Sequence, residues 1–323
     1  MGRATVNRVV QVGVETTPGT GVAANKSLPS MSLALSRTIE TREFRSQGFK
    51  PITARQIIKD YGTGTMSGPL NYTEIIYPLN TLVTGVITTP SGGTASRDHT
   101  FTPAATGADA FKTLTIEEGD ATAATQMVYS VFTEFGLTTN LETAEVTGSL
   151  IGRTPTTASL TGSPTAIALL VTNIREADLF MDSTFAGIGT TKVTDAKAIS
   201  FSIANKQVPN WVLNTSNTSF KDTVEVPPTL TFSWTTEHNA QSRTFYDALS
   251  TNPTRYFRLK LTGPIIEGAI PYKFQLDVGA QVNATVQEDV DGVWGYRYDC
   301  VPLYTATFPA SWAVQVTNTL TTL

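Results

Sequence analysis

The sequence predicts a mainly β protein built from two tandem units, each a strand, a long charged excursion, a second strand and a short amphipathic helix, followed by further strands. Three observations predict this. Apolar residues alternate with small polar ones, as Met31, Leu33 and Leu35 do in residues 30–37, the period of a strand with one buried face. Charged residues make up 15% of the 323, well under the ~25% usual for soluble domains. Thr and Ser stand in their place and suit a pleated surface. The order of elements in the first half then recurs in the second.

Residues 8–14, with Val9, Val10, Val12 and Val14, read as a strand. Residues 16–24 are a turn-rich loop. A phosphate loop would need Gly directly before Lys26, where Asn25 stands, so the stretch reads as a connection. Residues 30–37 (SMSLALSR) form a strand, and a charged excursion runs from 38 to about 60. A second strand spans 64–70. A helix follows, with Tyr72, Ile75, Ile76, Leu79, Leu82 and Val83 on one side. Asn71 sits at its N-cap position and Glu74 lies three residues on. Residues 84–110 read as a surface loop rich in Gly, Thr, Ser and Pro. Strands are expected over 111–117, 126–135 and 141–151, and residues 153–164 have a linker's composition.

In the second half, residues 178–191 take the place of the first strand and its turn. AISFSIAN (198–205) matches SMSLALSR, with Phe201 and Ile203 for Leu33 and Leu35. A polar excursion runs from 206 to about 226, and residues 230–234 give a strand. A helix follows whose buried side is Ala240, Phe245, Ala248 and Leu249, and residues 254–261 correspond to 111–117. The closest match sets 129–140 against 272–283 without a gap. It superposes Tyr129 on Tyr272, Glu134 on Asp277, Gly136 on Gly279 and Asn140 on Asn283. Preserved elements joined by loops of unequal length are what duplication leaves. The division is 1–153 for the first unit, 154–165 for a linker, 166–310 for the second unit and 311–323 for a C-terminal arm.

Net charge is −4, a poor basis for gripping phosphates. Cys300 is the only cysteine, so an internal disulfide is impossible and a reducing cytoplasm is the simplest setting. The longest apolar run, 166–171, is far short of a membrane span, no signal peptide is evident, and no membrane partner is expected. His99 is expected in a loop and His238 in the first turn of the second helix, both solvated. Glu117/Glu118 and Glu288, Asp289 and Asp291 flank Gly and read as solvated hairpin tips rather than metal ligands. No catalytic motif is present, so neither enzyme activity nor a cofactor is expected. The sequons at Asn71, Asn214 and Asn283 are matches that a Thr-rich chain generates by composition.

The excursion from 37 to 60 gathers Arg37, Glu40, Arg42, Glu43, Arg45, Lys50, Arg55, Lys59 and Asp60 in a chain otherwise poor in charge. Ile39, Phe44, Phe49, Ile52, Ile57 and Ile58 are interleaved with them. A structureless loop of this length is unusual and tends to be functional. Its apolar residues need a surface, and a neighbouring subunit supplies one if the chain's own core does not.

Residues 13–48 (GVETTPGTGVAANKSLPSMSLALSRTIETREFRSQG), 64–82 (GTMSGPLNYTEIIYPLNTL) and 178–203 resemble the major tail tube proteins of long-tailed, siphovirus-type bacteriophages, in the family with a duplicated tube domain. The resemblance implies two tandem tail-tube-like β-sandwich or half-barrel units, each with one flanking helix, whose inner strands join those of neighbours into an intersubunit β-barrel. It implies trimeric, pseudo-sixfold rings that stack head to tail into a hollow tube through which phage DNA is ejected. The excursion from Arg37 to Asp60, Phe44 included, and its counterpart over 206–226 resemble the family's ring-stacking loops. The partners implied are other copies of the chain, the tape measure, tail terminator and tail tip proteins, and double-stranded DNA in passage. The location implied is the virion tail, assembled in the host's bacterial cytoplasm.

Elementary physics points the same way. Open sheet edges recruit other chains, and head-to-tail contacts that do not close make filaments. A lumen that passes DNA must be neutral to acidic. Glu134, Glu142, Glu145, Asp277 and Glu288 are the candidate lumen carboxylates. The competing reading is a virion decoration or adhesin module that binds host glycan through Trp211, Trp234, Trp294, Tyr296, Tyr298 and Tyr304. A hydrolase with an unrecognised site is a more distant third.

Overall fold

The structure, a computed structural model, describes residues 7–90, 92–213 and 219–322. It is mainly β. The first half contains β1 (Val9–Val14), β2 (Lys26–Ser27), β3 (Ser32–Phe44), β4 (Ala54–Pro69) and α1 (Ile76–Leu82). It continues with β5 (Val86–Thr88), β6 (Arg97–Phe101), β7 (Leu114–Gly119), β8 (Ala124–Thr139) and β9 (Ala144–Gly152). Two short strands follow, β10 (Thr156–Ala158) and β11 (Thr165–Ala166). The second half has β12 (Ala177–Asp182), β13 (Lys192–Val193), β14 (Ala196–Ala204), β15 (Gln207–Asn210), β16 (Asp222–Glu225) and β17 (Thr229–Glu237). Then come α2 (Ala240–Asp247), β18 (Arg255–Glu267), β19 (Ile270–Val290), β20 (Val293–Pro302) and β21 (Trp312–Asn318).

The first half pairs its strands in the order β1–β7–β8–β9–β4–β3, all antiparallel. The second half pairs β12–β18–β19–β20–β17–β14, also all antiparallel. One strand in each half turns a corner. β8 pairs with β7 up to Ser130 and with β9 from Val131, and β19 passes from β18 to β20 at Ala280. Just past each corner lies a bulge, between Phe132 and Glu134 in β8 and between Val282 and Ala284 in β19. Extra residues of this kind bend a strand and increase its twist.

The bulges correct the alignment made from sequence. They set Glu134 level with Ala284 and not with Asp277, because β19 runs further before its corner than β8 does. Followed through the ladders, they also set Leu33 level with Ile199 and Leu35 level with Phe201. That is two residues from the sequence match, and a shift of two keeps the same face.

Several connections expected to be irregular are paired. The charged excursion is no loop: β3 and β4 carry it as a long hairpin, registered from Ser32 opposite Ser67 to Phe44 opposite Ala54. Residues 84–110 hold the β5–β6 hairpin. The C-terminal stretch is not a free arm, because β21 lies between β19 and β6 with Trp312, Val314 and Val316 buried. Within the linker stretch, β10 pairs with β8, and β11 runs parallel to β2. The excursion from 206 to 226 forms a separate two-stranded sheet, β15 with β16.

α1 begins later than its sequence suggests. A start near Asn71 would put Pro78 beyond the first turn, where its ring meets the carbonyl of residue 74, whereas in α1 it stands within the first turn. Asn71 and Glu74 instead organise a preceding turn, with Asn71 Oδ1 accepting Thr73 N–H and Asn71 Nδ2 donating to Glu74 Oε1. All seven residues of α1 are buried, so it is a core helix rather than a flanking amphipathic one. Two of its polar side chains are bonded: Asn80 Nδ2 donates to Ile76 O, and Thr81 Oγ1 accepts Phe132 N–H. Of α2, by contrast, only Ser242 is fully buried, while Phe245 packs edge-on to Trp234.

Three polar groups read as solvated are buried, and a fourth, His238, is half-buried against an aromatic ring. His99 sits in β6 with no exposure, its Nε2 beside Asn318 Oδ1 and Leu320 O, and burial pushes its pKa down. His238 stacks on Trp294 at 4.0 Å. Glu117 and Glu118 are buried in β7, where they capture Thr161 N–H and Leu35 N–H. The expectation holds at Asp291 and Gly292, which form the tip between β19 and β20 with positive φ at both residues, as a two-residue hairpin turn requires. Of the sequons, Asn71 is fully buried, and Asn214 lies outside the described residues.

Candidate assembly surface

The two halves join edge to edge. Residues Phe135 to Thr139 of β8 pair with Ile203 to Ile199 of β14. This makes one continuous run of eight strands, β3–β4–β9–β8–β14–β17–β20–β19, with four from each half.

Its two faces differ in kind. The inward face carries Leu33, Met66, Leu150, Phe135, Phe201, Phe232 and Trp234, all buried. The opposite face shows Ser and Thr on every strand but β20 and β19: Ser36, Thr65, Thr147, Thr138, Ser202 and Thr231 among them. Some bond to one another across strands, as Ser202 Oγ and Thr231 Oγ1 do at 2.7 Å and Thr38 and Thr63 at 3.2 Å. The alternation of side chains across a strand produces this split directly from sequence.

The acidic residues sort by position on this sheet. Glu134 is exposed on the Ser/Thr face and accepts Ser149 Oγ–H. Glu145 is exposed on the same face, opposite Thr138, and Glu142 lies exposed in the turn between β8 and β9. Glu288 shares the face, with Oε1 accepting Thr235 Oγ–H and Oε2 near Arg297. Asp277 does not belong with them. It is 7% exposed, lies before the corner of β19, and is held by both arms of the Arg258 guanidinium at 2.7 and 2.8 Å.

At the ends of the run, among the described residues, β3 pairs with β4 alone, and residues 281–290 of β19 pair with β20 alone. One outward N–H on β3, that of Leu35, is occupied by a side chain, Glu118 Oε2 at 2.9 Å. Arg8 is paired to the same carboxylate.

The β3–β4 hairpin continues past the body of the sheet. Arg37 grips Asp60 with two bonds, which raises the guanidinium pKa. Lys59 Nζ donates to Glu40 Oε2 at 2.8 Å, and this holds the Glu40 carboxyl below its usual range. Arg55 Nε donates to Thr41 Oγ1, and Arg42 lies over the Phe44 ring. Glu43, Arg45 and Lys50 are exposed and complete the charged set. Ile39, Phe44, Phe49, Ile52, Ile57 and Ile58 are all exposed, so the chain's own core does not cover them.

Of the aromatic residues considered as a glycan platform, Trp234 is buried and stacked on Tyr298, and Trp211 packs against Tyr61 and Phe220. Trp294 and Tyr304 are exposed. No group of three or more His, Cys, Asp or Glu able to hold a metal occurs among the described residues. Among the same residues no helix is long and apolar enough to cross a membrane. Open sheet edges were expected from sequence, but the hairpin's length and which strands form the two ends were not, because a sequence does not show ladder partners.

Compared with known proteins, the chain matches no family model. A search of curated proteins likewise finds no match.

Proposed function

We propose that this chain is a structural subunit of a phage tail tube: two copies of one sandwich, fused in tandem, that assemble in threes into pseudo-sixfold rings. The rings stack into a hollow tube that conducts double-stranded DNA during ejection. One observation carries the reading. The junction between the halves, β8 against β14, is a strand pairing whose counterpart at the far ends of the sheet is left open. The matching order of antiparallel pairings in the two halves supports the duplication. Such an edge is a template for another chain, and a closed ring removes it.

The bulge correspondence gives the register of the missing pairing. Carried from β8–β14 to the ends of the run, it sets Leu33 opposite Asp289, Ala34 opposite Glu288 and Arg37 opposite Thr285 of the neighbouring copy. A main-chain carbonyl then replaces Glu118 on Leu35 N–H. In a closed ring the Ser/Thr face lines the lumen with Glu134, Glu145 and Glu288, and Arg297, which shares that face, is paired to Glu288 and Asp299, so DNA slides over hydroxyls, carboxylates and a cation already engaged. The hairpin, with its uncovered Phe and Ile residues, docks on the next ring.

On this reading the chain is no enzyme and needs no cofactor. Its partners are its own copies and the tape measure, terminator and tip proteins, and its place is the virion tail, built in the bacterial cytoplasm. Negative-stain microscopy of the purified protein tests the proposal. Stacked rings or tubes are expected, and protein that remains dispersed as single chains at high concentration contradicts it.

A further inference from the structure

The loop between β6 and β7 and the base of the β15–β16 hairpin meet at three charged groups. The Lys206 side chain is 2% exposed. Its Nζ donates to Asp109 Oδ2 at 2.5 Å and to Glu225 Oε1 at 2.8 Å. The other oxygen of Glu225 accepts the backbone N–H of Asp109 at 2.5 Å. One carboxylate therefore bridges the amine and the residue whose carboxyl faces that amine. The backbone fixes the lysine from both sides, with Lys206 N–H on Thr133 O and Val226 N–H on Lys206 O.

Burying these charges is costly, and two carboxylates against one ammonium leave a negative charge over. Condensation would remove one charge of each sign. Holding the reactants in contact and away from bulk water removes the entropic barrier that prevents this reaction between free side chains.

We infer that Lys206 and Asp109 form an intramolecular isopeptide bond, with Glu225 as the proton carrier. Glu225 takes a proton from the Lys206 ammonium and delivers it to the Asp109 carboxylate. The freed nitrogen lone pair attacks Asp109 Cγ. A second proton leaves the nitrogen through Glu225 and reaches the departing hydroxyl. The C–N bond forms, the C–O bond breaks and one water leaves, with no oxidation or reduction. The product staples the loop between β6 and β7 to the first strand pair beyond β14. It does not depend on the assembly reading.

Intact-mass measurement of the denatured full chain tests this. The wild-type protein is expected to be lighter than its sequence by one water. Tryptic digestion should give a branched peptide joining residues 98–112 to residues 198–221. Glu225→Gln, which keeps the shape but cannot carry protons, should have the full sequence mass and lack the branched peptide. Wild-type protein at full sequence mass, or a water deficit that maps elsewhere, overturns the inference. A Glu225→Gln chain that still carries the branch overturns the role given to Glu225.

Discussion

The seam between the halves and the two ends of the same sheet present the same kind of strand edge with opposite outcomes. At the seam, β8 and β14 satisfy each other within the chain. At the ends, among the described residues, β3 has one strand partner and leans on the Glu118 carboxylate, and residues 281–290 pair with β20 alone. On the proposed reading, the difference is that one joint of the ring is closed within the chain and the other is left to association. A chain of this kind is folded and incomplete at once.

The sharpest way to break the comparison is to disable an end without touching the seam. Gln287 is exposed, and by correspondence with Leu137 its N–H points to the open side. Gln287→Pro removes that donor where an edge strand tolerates proline. Assembly should be lost outright, with the melting temperature of the free chain nearly unchanged. Tubes of normal appearance from this variant would break the account.

A second variant separates ring closure from stacking. Replacing residues 41–58 with a two-residue turn keeps the Glu40–Lys59 pair as the last rung. Discrete rings are expected to survive while tubes disappear in electron micrographs. Loss of the rings as well would assign the hairpin to the lateral joint.

A third comparison contrasts the two faces of the run. Leu150 is 1% exposed on the inward face, so Leu150→Ala should cost about 2–5 kcal/mol in chemical denaturation. Ser202→Ala on the opposite face should stay within about 0.5 kcal/mol. Similar losses at both would mean that the Ser/Thr face is packed against something in the isolated chain.

The smallest effect concerns the clamp between the halves at Glu267. Its carboxylate accepts the N–H groups of Thr94, Ala95 and Ser96 and the hydroxyls of Thr94 and Ser96. The Ser96 hydroxyl bond leads the causes that lower its pKa to about 2. A depressed carboxyl contributes stability above its unfolded pKa and loses it as pH falls through the folded value. Wild type should therefore exceed Glu267→Gln in stability by a constant margin at neutral pH. The margin should shrink between about pH 4 and pH 2. A margin independent of pH would mean that the clamp acts through shape and not charge.

Much of the fold was legible in the residues. Alternation at Leu33 and at Phe201 placed strands and their buried faces correctly, because burial writes a period of two into a sequence. The charged excursion misled because an exposed hairpin has apolar and charged residues on both of its faces and so no period. The stretch 311–323 misled by its terminal position, although Trp312, Val314 and Val316 carried the strand pattern. The match of Glu134 to Asp277 failed because identity at four positions cannot register a difference in where two long strands turn their corners. Asp109 and Glu225 are 116 residues apart with Lys206 between them, and nothing in sequence brings the three together.

Disulfide trapping at the open ends tests the central claim most directly. Ala34 and Glu288 lie on the same face and are opposite one another in the register derived from the seam, close enough for cysteines to bridge. The double variant Ala34→Cys, Glu288→Cys, oxidised after assembly, should run on a non-reducing denaturing gel as linked species ending at three chains. The same assembled material remaining entirely as single chains would contradict the account.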